Sequence, residues 1–219
     1  MKVDLHVHSC YSKDALSRPA SIVKRAGKKG LSGIAITDHD NCNAWRELLP
    51  LAEKAGLLVV RGEELKVREL GKTIGELSAL FLQQEIASME LPEILDEAKR
   101  QDALLVMQHP FDLFRRNWKR LDYWKKFQGI EAFNSRCILG SWNRKAMEFA
   151  SEHSFPATAG SDAHTPWEIG NAFIECDAAD EEELRQAILK KKIKIAGKLS
   201  SPFIHVFSTI AKLHLMKPL

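Results

Sequence analysis

The sequence has few cysteines, and none is placed to act with another. Cys10, Cys42, Cys137 and Cys176 lie far apart, with no CxxC pair among them. That spacing excludes a zinc ribbon and a disulfide framework and predicts free thiols, as in a reducing cytoplasm. No apolar run approaches the roughly 18 residues of a membrane-spanning helix, and no basic-then-apolar leader precedes the first strand-like stretch. Together these absences give the expectation of a cytosolic protein. A GxSxG elbow is missing, and no cysteine has an obvious activating partner, so no side-chain nucleophile for covalent catalysis is evident. Nor is one sign of charge in excess: 32 Lys and Arg against 29 Asp and Glu leave a net charge of +3, which does not select a partner by itself. The local run Lys190, Lys191, Lys192, Lys194 and Lys198 reads as a solvated helix end.

What the chain does have is an ordinary globular composition, 45% hydrophobic and 28% charged over 219 residues. At this length roughly 70% of the unfolded surface is buried on folding, enough for a core without structural metals or disulfides. Apolar, β-branched runs recur at Val3 to Val7, Gly33 to Thr37, Leu57 to Arg61, Leu77 to Leu82, Leu104 to Gln108, Gly129 to Phe133 and Ala157 to Gly160. Between them, Arg18 to Lys29, Asn43 to Ala55, Pro92 to Gln101 and Arg144 to His153 carry apolar residues at helical spacing. The alternation predicts an α/β fold with a parallel sheet or barrel of about seven strands. The expected organisation is a single domain, with the barrel over about 1–198 and a tail or helix over about 199–219.

Polar residues follow these strands with regularity. His6 and His8 close the first strand, Asp38 and His39 the second, Glu63 and Glu64 the third, His109 the fifth, Asn134 the sixth, and Asp162 and His164 the seventh. Alternate residues of a strand share a face, so His6 and His8 point the same way. In a parallel barrel the strand C-termini converge on one face, and ligands scattered through the sequence meet there. A mixed nitrogen and oxygen donor set suits zinc, manganese or iron better than calcium.

The stretches Asp4-Leu5-His6-Val7-His8-Ser9, Ile36-Thr37-Asp38-His39-Asp40, Gly62-Glu63-Glu64, Gln108-His109-Pro110-Phe111 and Gly160-Ser161-Asp162-Ala163-His164 resemble the successive motifs of the PHP (polymerase and histidinol phosphatase) superfamily. The resemblance extends from Val3 to about Lys198. It implies a distorted seven-stranded, TIM-like β/α barrel with two or three divalent ions (Zn, Mn or Fe) at the C-terminal ends of its strands. Carried over by position, His6, His8, Glu64 and Asp162 would hold one ion, with Glu64 bridging to a second that also takes His109. Asp14, His39 and His164 match the ligands of a third. Where many relatives place a histidine early in the fourth strand, this chain has Glu76, which reads either as a substitute ligand or as a surface glutamate.

Beside such a cluster, Arg136 and Asn134 are candidates for gripping a phosphate, since a guanidinium can do so in bidentate fashion; Arg18 is a further candidate from its proximity to the first loop. Arg136 reads equally well as a partner for nearby carboxylates. Asp38 or His39 is a candidate for orienting water or protonating a leaving oxygen. The expected activity is metal-dependent hydrolysis of a phosphoester, in a small phosphorylated substrate or nucleotide, without a membrane partner. Three alternatives stand beside it. A nuclease would use the cluster Arg115, Arg116, Trp118, Lys119, Arg120, Tyr123 and Trp124 as a basic, stacking groove; the same cluster would serve as a lid or a subunit contact. A non-catalytic RNA-binding subunit would resemble the ribonuclease P barrel protein, and a histidinol-phosphate phosphatase would act on one small metabolite.

Overall fold

A computed structural model of the chain describes residues 1–115, 118, 121–213 and 216–219. The expected alternation is realised as β1 (Lys2–Val7), α1 (Pro19–Lys28), β2 (Gly33–Ile36), α2 (Trp45–Lys54), β3 (Leu58–Glu69), β4 (Lys72–Leu80), α3 (Leu91–Arg100) and β5 (Leu104–Met107). It continues through a 3-10 helix (Leu121–Lys126), β6 (Gly129–Asn134), α4 (Gly140–Glu152), β7 (Ala157–Gly160), β8 (Ala172–Glu175), α5 (Glu181–Leu189), β9 (Lys194–Gly197) and α6 (Ile204–Lys212). Local chemistry sets several boundaries. Proline stands in the first turn of α1 and of α3, where its missing N–H has no helical partner to lose. Asp180 caps α5 by accepting a hydrogen bond from the Glu183 N–H at 2.8 Å.

Among the described residues the sheet has nine strands rather than seven, ordered β7-β6-β5-β4-β3-β2-β1-β8-β9. It is also not wholly parallel: β4 runs antiparallel to both β3 and β5, and β8 and β9 extend the β1 side as antiparallel additions. The reversal of β4 follows from a tight hairpin. Leu70 and Gly71, the two residues between β3 and β4, have φ values of +51° and +73°, and positive φ at both central residues is the signature of the two-residue turns that match strand twist. Leu70 is strained there and 92% exposed, so it gains nothing by burial. Leu70→Asn is therefore expected to stabilise the fold by about 0.5–1 kcal/mol, since asparagine tolerates this conformation, and to raise Tm by about 1–4 °C. An unchanged or lower Tm in a thermal melt would contradict the strain.

The sheet nearly closes on itself. Past the end of β7 the chain turns along β1, where the His8 N–H donates to the Ala163 carbonyl at 2.9 Å and Val7 bridges Ala163 in parallel. This approach requires glycine at 160, because a Cβ there would lie 2.2 Å from the His6 Cβ. Gly160→Ala is expected to cost about 1–3 kcal/mol through overpacking, lowering Tm by several degrees at about 2–4 °C per kcal/mol. A melt within one degree of wild type would show that the strands can separate freely.

Apolar packing anchors the frame on which the polar strand ends sit. Ile22 and Ala26 of α1 and Leu48 and Ala52 of α2 cluster with Val7, Ile34 and Ile36. Leu91, Ile94 and Ala98 of α3 pack in a second cluster with Leu77, Leu105, Met107 and Ile130. Each large side chain so buried stabilises the fold by about 1.5–3 kcal/mol. The second cluster also claims part of the expected nucleic-acid groove: Trp118 and Tyr123 are buried, and Trp124 is packed against the same core. Their faces are not free stacking platforms, which corrects that expectation; Arg116, Lys119 and Arg120 lie outside the described residues.

Candidate metal centre

The strand ends bring all nine predicted metal-binding side chains together. The end of β2 runs beside β3, with the Asp40 N–H donating to the Glu64 carbonyl at 3.0 Å and the Glu64 N–H to the Asp38 carbonyl at 3.1 Å, which puts His39 against Glu64. Because β4 is reversed, its early residue Glu76 reaches the face where the parallel strands finish. The Gln108 N–H donates to the Glu76 carbonyl at 3.1 Å, and His109 follows directly. Glu76 is only 8% exposed, so it is not a surface glutamate.

The donor atoms are spaced as ligands of common ions. His6 Nε2 and His8 Nε2 are 3.0 Å apart and lie 3.4 and 3.3 Å from Glu64 Oε2. Asp162 Oδ1 is 3.8 and 3.5 Å from the same two nitrogens. His109 Nε2 stands 3.4 Å from Glu64 Oε1 and 3.5 Å from Glu76 Oε2. His39 Nε2 and His164 Nε2 are each 3.5 Å from an oxygen of Asp14. Tetrahedral donors with bonds of 2.0–2.1 Å would be separated by roughly 3.3 Å. Among the described residues three groups of donors emerge: His6, His8 and Glu64; Glu64, Glu76 and His109; His8, His39 and His164. The two Glu64 oxygens serve different groups, as a bridging carboxylate would.

The electrostatics reflect how closely carboxylates and imidazoles crowd together here. Burial opposes the charge of His6, yet Asp162, Glu64 and Glu131 hold its pKa well above the usual range. Burial likewise works against ionised Glu64, but His6 and His39 carry it well below. Glu76 is raised by burial and by the neighbouring Glu64. Burial, then Arg136 and His8, push His164 down to about 3, leaving a neutral ring able to donate a lone pair to a metal. Asp14 Oδ1 and Glu64 Oε1, both turned toward the donor groups, are buried without a hydrogen-bond partner. Orphaned buried donor atoms of this kind are costly unless something satisfies them, and divalent ions fit the set.

A surrounding layer fixes the donors, and part of it was not evident in the sequence. Glu131, an acid within the apolar strand β6, lies 2.9 Å from His6 Nδ1 and accepts from the His109 N–H at 3.1 Å and Asn134 Nδ2 at 2.8 Å. Its position inside a strand pattern was the available signal. Arg115 pairs with Asp162 Oδ2, and Asn134 Nδ2 donates to the same oxygen at 3.0 Å. Such partners set the tautomer and orientation of metal ligands. Glu131→Gln is expected to weaken metal binding about 10- to 100-fold, measured by calorimetric titration with manganese; unchanged affinity would show that His6 is held without it.

Other predicted residues fall elsewhere. Asp38 accepts from the Ser9 N–H at 2.7 Å, Ser9 Oγ at 2.6 Å and Ser12 Oγ at 2.6 Å, so it braces the first loop and does not line the cavity. Asn134 has its amide spent on Glu131 and Asp162, and its Oδ1 accepts from the Arg136 N–H at 2.8 Å; it stands behind the donors. Arg18 is exposed at the start of α1 and is likewise outside the cavity lining. Arg136 does line it. Its guanidinium is nearly buried, 3.5 Å from Glu168 Oε1, with Nε and Nη1 lacking hydrogen bonds. The cavity measures about 860 Å³ and opens between the donors, Arg115, Arg136 and α6. No helix among the described residues is long and apolar enough to cross a membrane.

Comparison with known proteins gives a consistent result. The sequence profile of the PHP domain matches residues 4–140, and that of a PHP-associated region matches residues 140–193. An uncharacterised protein of Methanocaldococcus jannaschii is 38% identical over 183 residues, which cover 80% of this chain and 70% of that one. Among solved structures, a two-domain protein of Bacteroides vulgatus, described as containing a predicted PHP-like metal-dependent phosphoesterase, superposes with a TM-score of 0.75 at 21% identity; the match covers 90% of this chain and 65% of that protein. An amidohydrolase of Chromobacterium violaceum with bound sulfate and no metal matches with a TM-score of 0.65 at 17% identity, covering 89% and 98% of the two chains.

Proposed function

Since the chain belongs to the PHP family of metal-dependent hydrolases, we propose that it cleaves phosphoester bonds at a di- or trinuclear centre. His6, His8, Glu64 and Asp162 hold one ion, and Glu64, Glu76 and His109 a second. Asp14, His39 and His164 hold a third. The observation that carries this reading is the single buried carboxylate of Glu64, whose two oxygens face separate donor groups beside a polar cavity. Divalent ions bound there would supply activated water near neutral pH and would offset the charge of the ester.

The chain's own residues do the rest. Arg136 lines the cavity, with Nη1 3.5 Å from Glu168 and Nη2 donating to Ser208, and its guanidinium binds a phosphate oxygen. Arg115 and Asn134 keep Asp162 ionised and turned toward His6 and His8. His39, with its two ring nitrogens 3.1 Å from Glu64 and 3.5 Å from Asp14, serves as a ligand more readily than as a proton donor. The test is hydrolysis of an aryl phosphate and an aryl phosphodiester with added manganese or zinc, before and after chelation. Hydrolysis that disappears with the metal and returns with it supports the reading. A protein that holds no transition metal by elemental analysis and cannot be reconstituted sinks it.

One observation favours a second reading, exonucleolytic cleavage of a single strand. Tyr11 and Phe114, 41% and 74% exposed, line the same cavity as Lys13 and Lys66, and aromatic faces beside cations are what sequence-tolerant strand binding uses. Release of mononucleotides from end-labelled DNA or RNA at rates above those for aryl phosphates would favour it.

A further inference from the structure

The helix α6 closes one side of the cavity with side chains that the metal donors do not explain. His205, Ser208, Thr209 and Lys212 line the cavity, while Phe203, Val206 and Leu213 are exposed. Within the helix only Ser208 and Ala211 are buried. It is attached by both polar and apolar contacts: Arg136 Nη2 donates to Ser208 Oγ at 2.8 Å and lies 3.3 Å from His205 Nδ1, and Phe207 packs edge-on against Trp167 with ring centroids 5.4 Å apart. Beyond the helix, the Leu219 carbonyl accepts from the Arg18 N–H at 2.9 Å, and the Leu219 N–H donates to the Leu16 carbonyl at 2.6 Å.

Lys212 reaches from this wall to a metal-donor carboxylate. Its Nζ is 3.3 Å from Asp14 Oδ2, and its side chain is 61% exposed. The same oxygen lies 3.5 Å from His39 Nε2, and the other oxygen of Asp14 lies 3.5 Å from His164 Nε2. A divalent cation taken up by these three residues would repel an ammonium so close to the same carboxylate. The four-carbon lysine stem lets the ammonium leave without moving the backbone. Arg136 lines the same cavity and already binds Ser208 of the helix.

We propose that Lys212 binds the phosphate of the substrate: its ammonium exchanges Asp14 for the substrate anion, beside Arg136, when Asp14 takes a cation. Substrate and metal thus meet through one flexible side chain of this wall, and α6 contributes to specificity. The proposal rests on the phosphoesterase reading, so the test separates the two.

Wild type, Lys212→Met, Lys212→Arg and, as a control on an exposed lysine that does not line the cavity, Lys217→Met are compared in two measurements. These are calorimetric titration with manganese and steady-state hydrolysis of an aryl phosphate. Lys212→Met is expected to bind manganese about threefold more tightly, because an exposed ion pair competing for Asp14 is gone. Its KM should rise about tenfold with kcat within about threefold, the loss of one charge-assisted hydrogen bond to phosphate. Lys212→Arg should recover most of the KM, and Lys217→Met should match wild type. Manganese affinity and KM both unchanged in Lys212→Met would overturn the proposal while leaving the phosphoesterase reading intact, as would a fall in kcat alone. A wild-type chain that neither takes up manganese nor hydrolyses the ester overturns both.

Discussion

Replacing Glu64 by glutamine is expected to abolish hydrolysis, with kcat/KM at least about 1000-fold below wild type, and to remove at least one ion per chain. Glutamine keeps the size of the side chain, so packing in a site that is 1% exposed changes little. What it loses is the charge that two donor groups share. Glu64 Oε2 lies within 3.4 Å of His6, His8 and His39, and Oε1 lies 3.4 Å from His109. An amide offers one weak acceptor to these groups and turns an NH2 toward the rest. A single lost transition-state interaction costs about 100- to 1000-fold, and this substitution removes a ligand from two subsites at once, so its effect should exceed that of Glu131→Gln. Elemental analysis and an aryl phosphate assay measure both quantities, and a cooperative thermal melt establishes that the variant is folded. Wild-type metal content with a rate within tenfold of wild type would show that Glu64 is not the shared ligand.

The second large effect is on stability. Stripping metal with a chelator should lower Tm by about 5–10 °C for each ion held at 100-fold its dissociation constant, since each contributes about 2.7 kcal/mol and a domain of this size shifts by about 2–4 °C per kcal/mol. The physical cause is the buried donor oxygens Asp14 Oδ1 and Glu64 Oε1, whose burial is costly without a partner. Adding back manganese or zinc should restore the original melt, while calcium, which prefers all-oxygen sites, should restore less. A Tm indifferent to chelator would mean that these donors satisfy one another and hold no ion.

The donor set was legible because its chemistry is written in short motifs that end apolar strands: His6 and His8, Asp38 and His39, Glu63 and Glu64, Gln108 and His109, Asp162 and His164. Residue type did not reveal which way each polar group turns. Asp38 and Asn134 have the right chemistry for the reaction centre, yet both spend their hydrogen bonds on neighbouring side chains and backbone. Arg115 was visible only as one cation in a basic cluster, whereas its partner Asp162 is remote in sequence. The β3–β4 reversal was hidden because Leu70-Gly71 lacks the Asn-Gly or Asp-Gly signature of such turns. Strands β8 and β9 each carry a charged residue, Glu175 and Lys194, within their four positions, unlike the uncharged runs of β2, β5 and β7, and they depend on pairing across the sheet.

The reversed hairpin also sets a sequence of events during folding. Its two-residue turn brings Glu64 and Glu76 onto one face through a short loop, and short loops close at little entropic cost. His6 and Asp162, in contrast, meet only when the two ends of the barrel come together at Val7 and Ala163, a contact between distant parts of the chain and therefore slow to form. One half of the metal centre is thus assembled locally, and the other records that the barrel has shut. Tight uptake of a full complement of ions becomes a chemical report on ring closure.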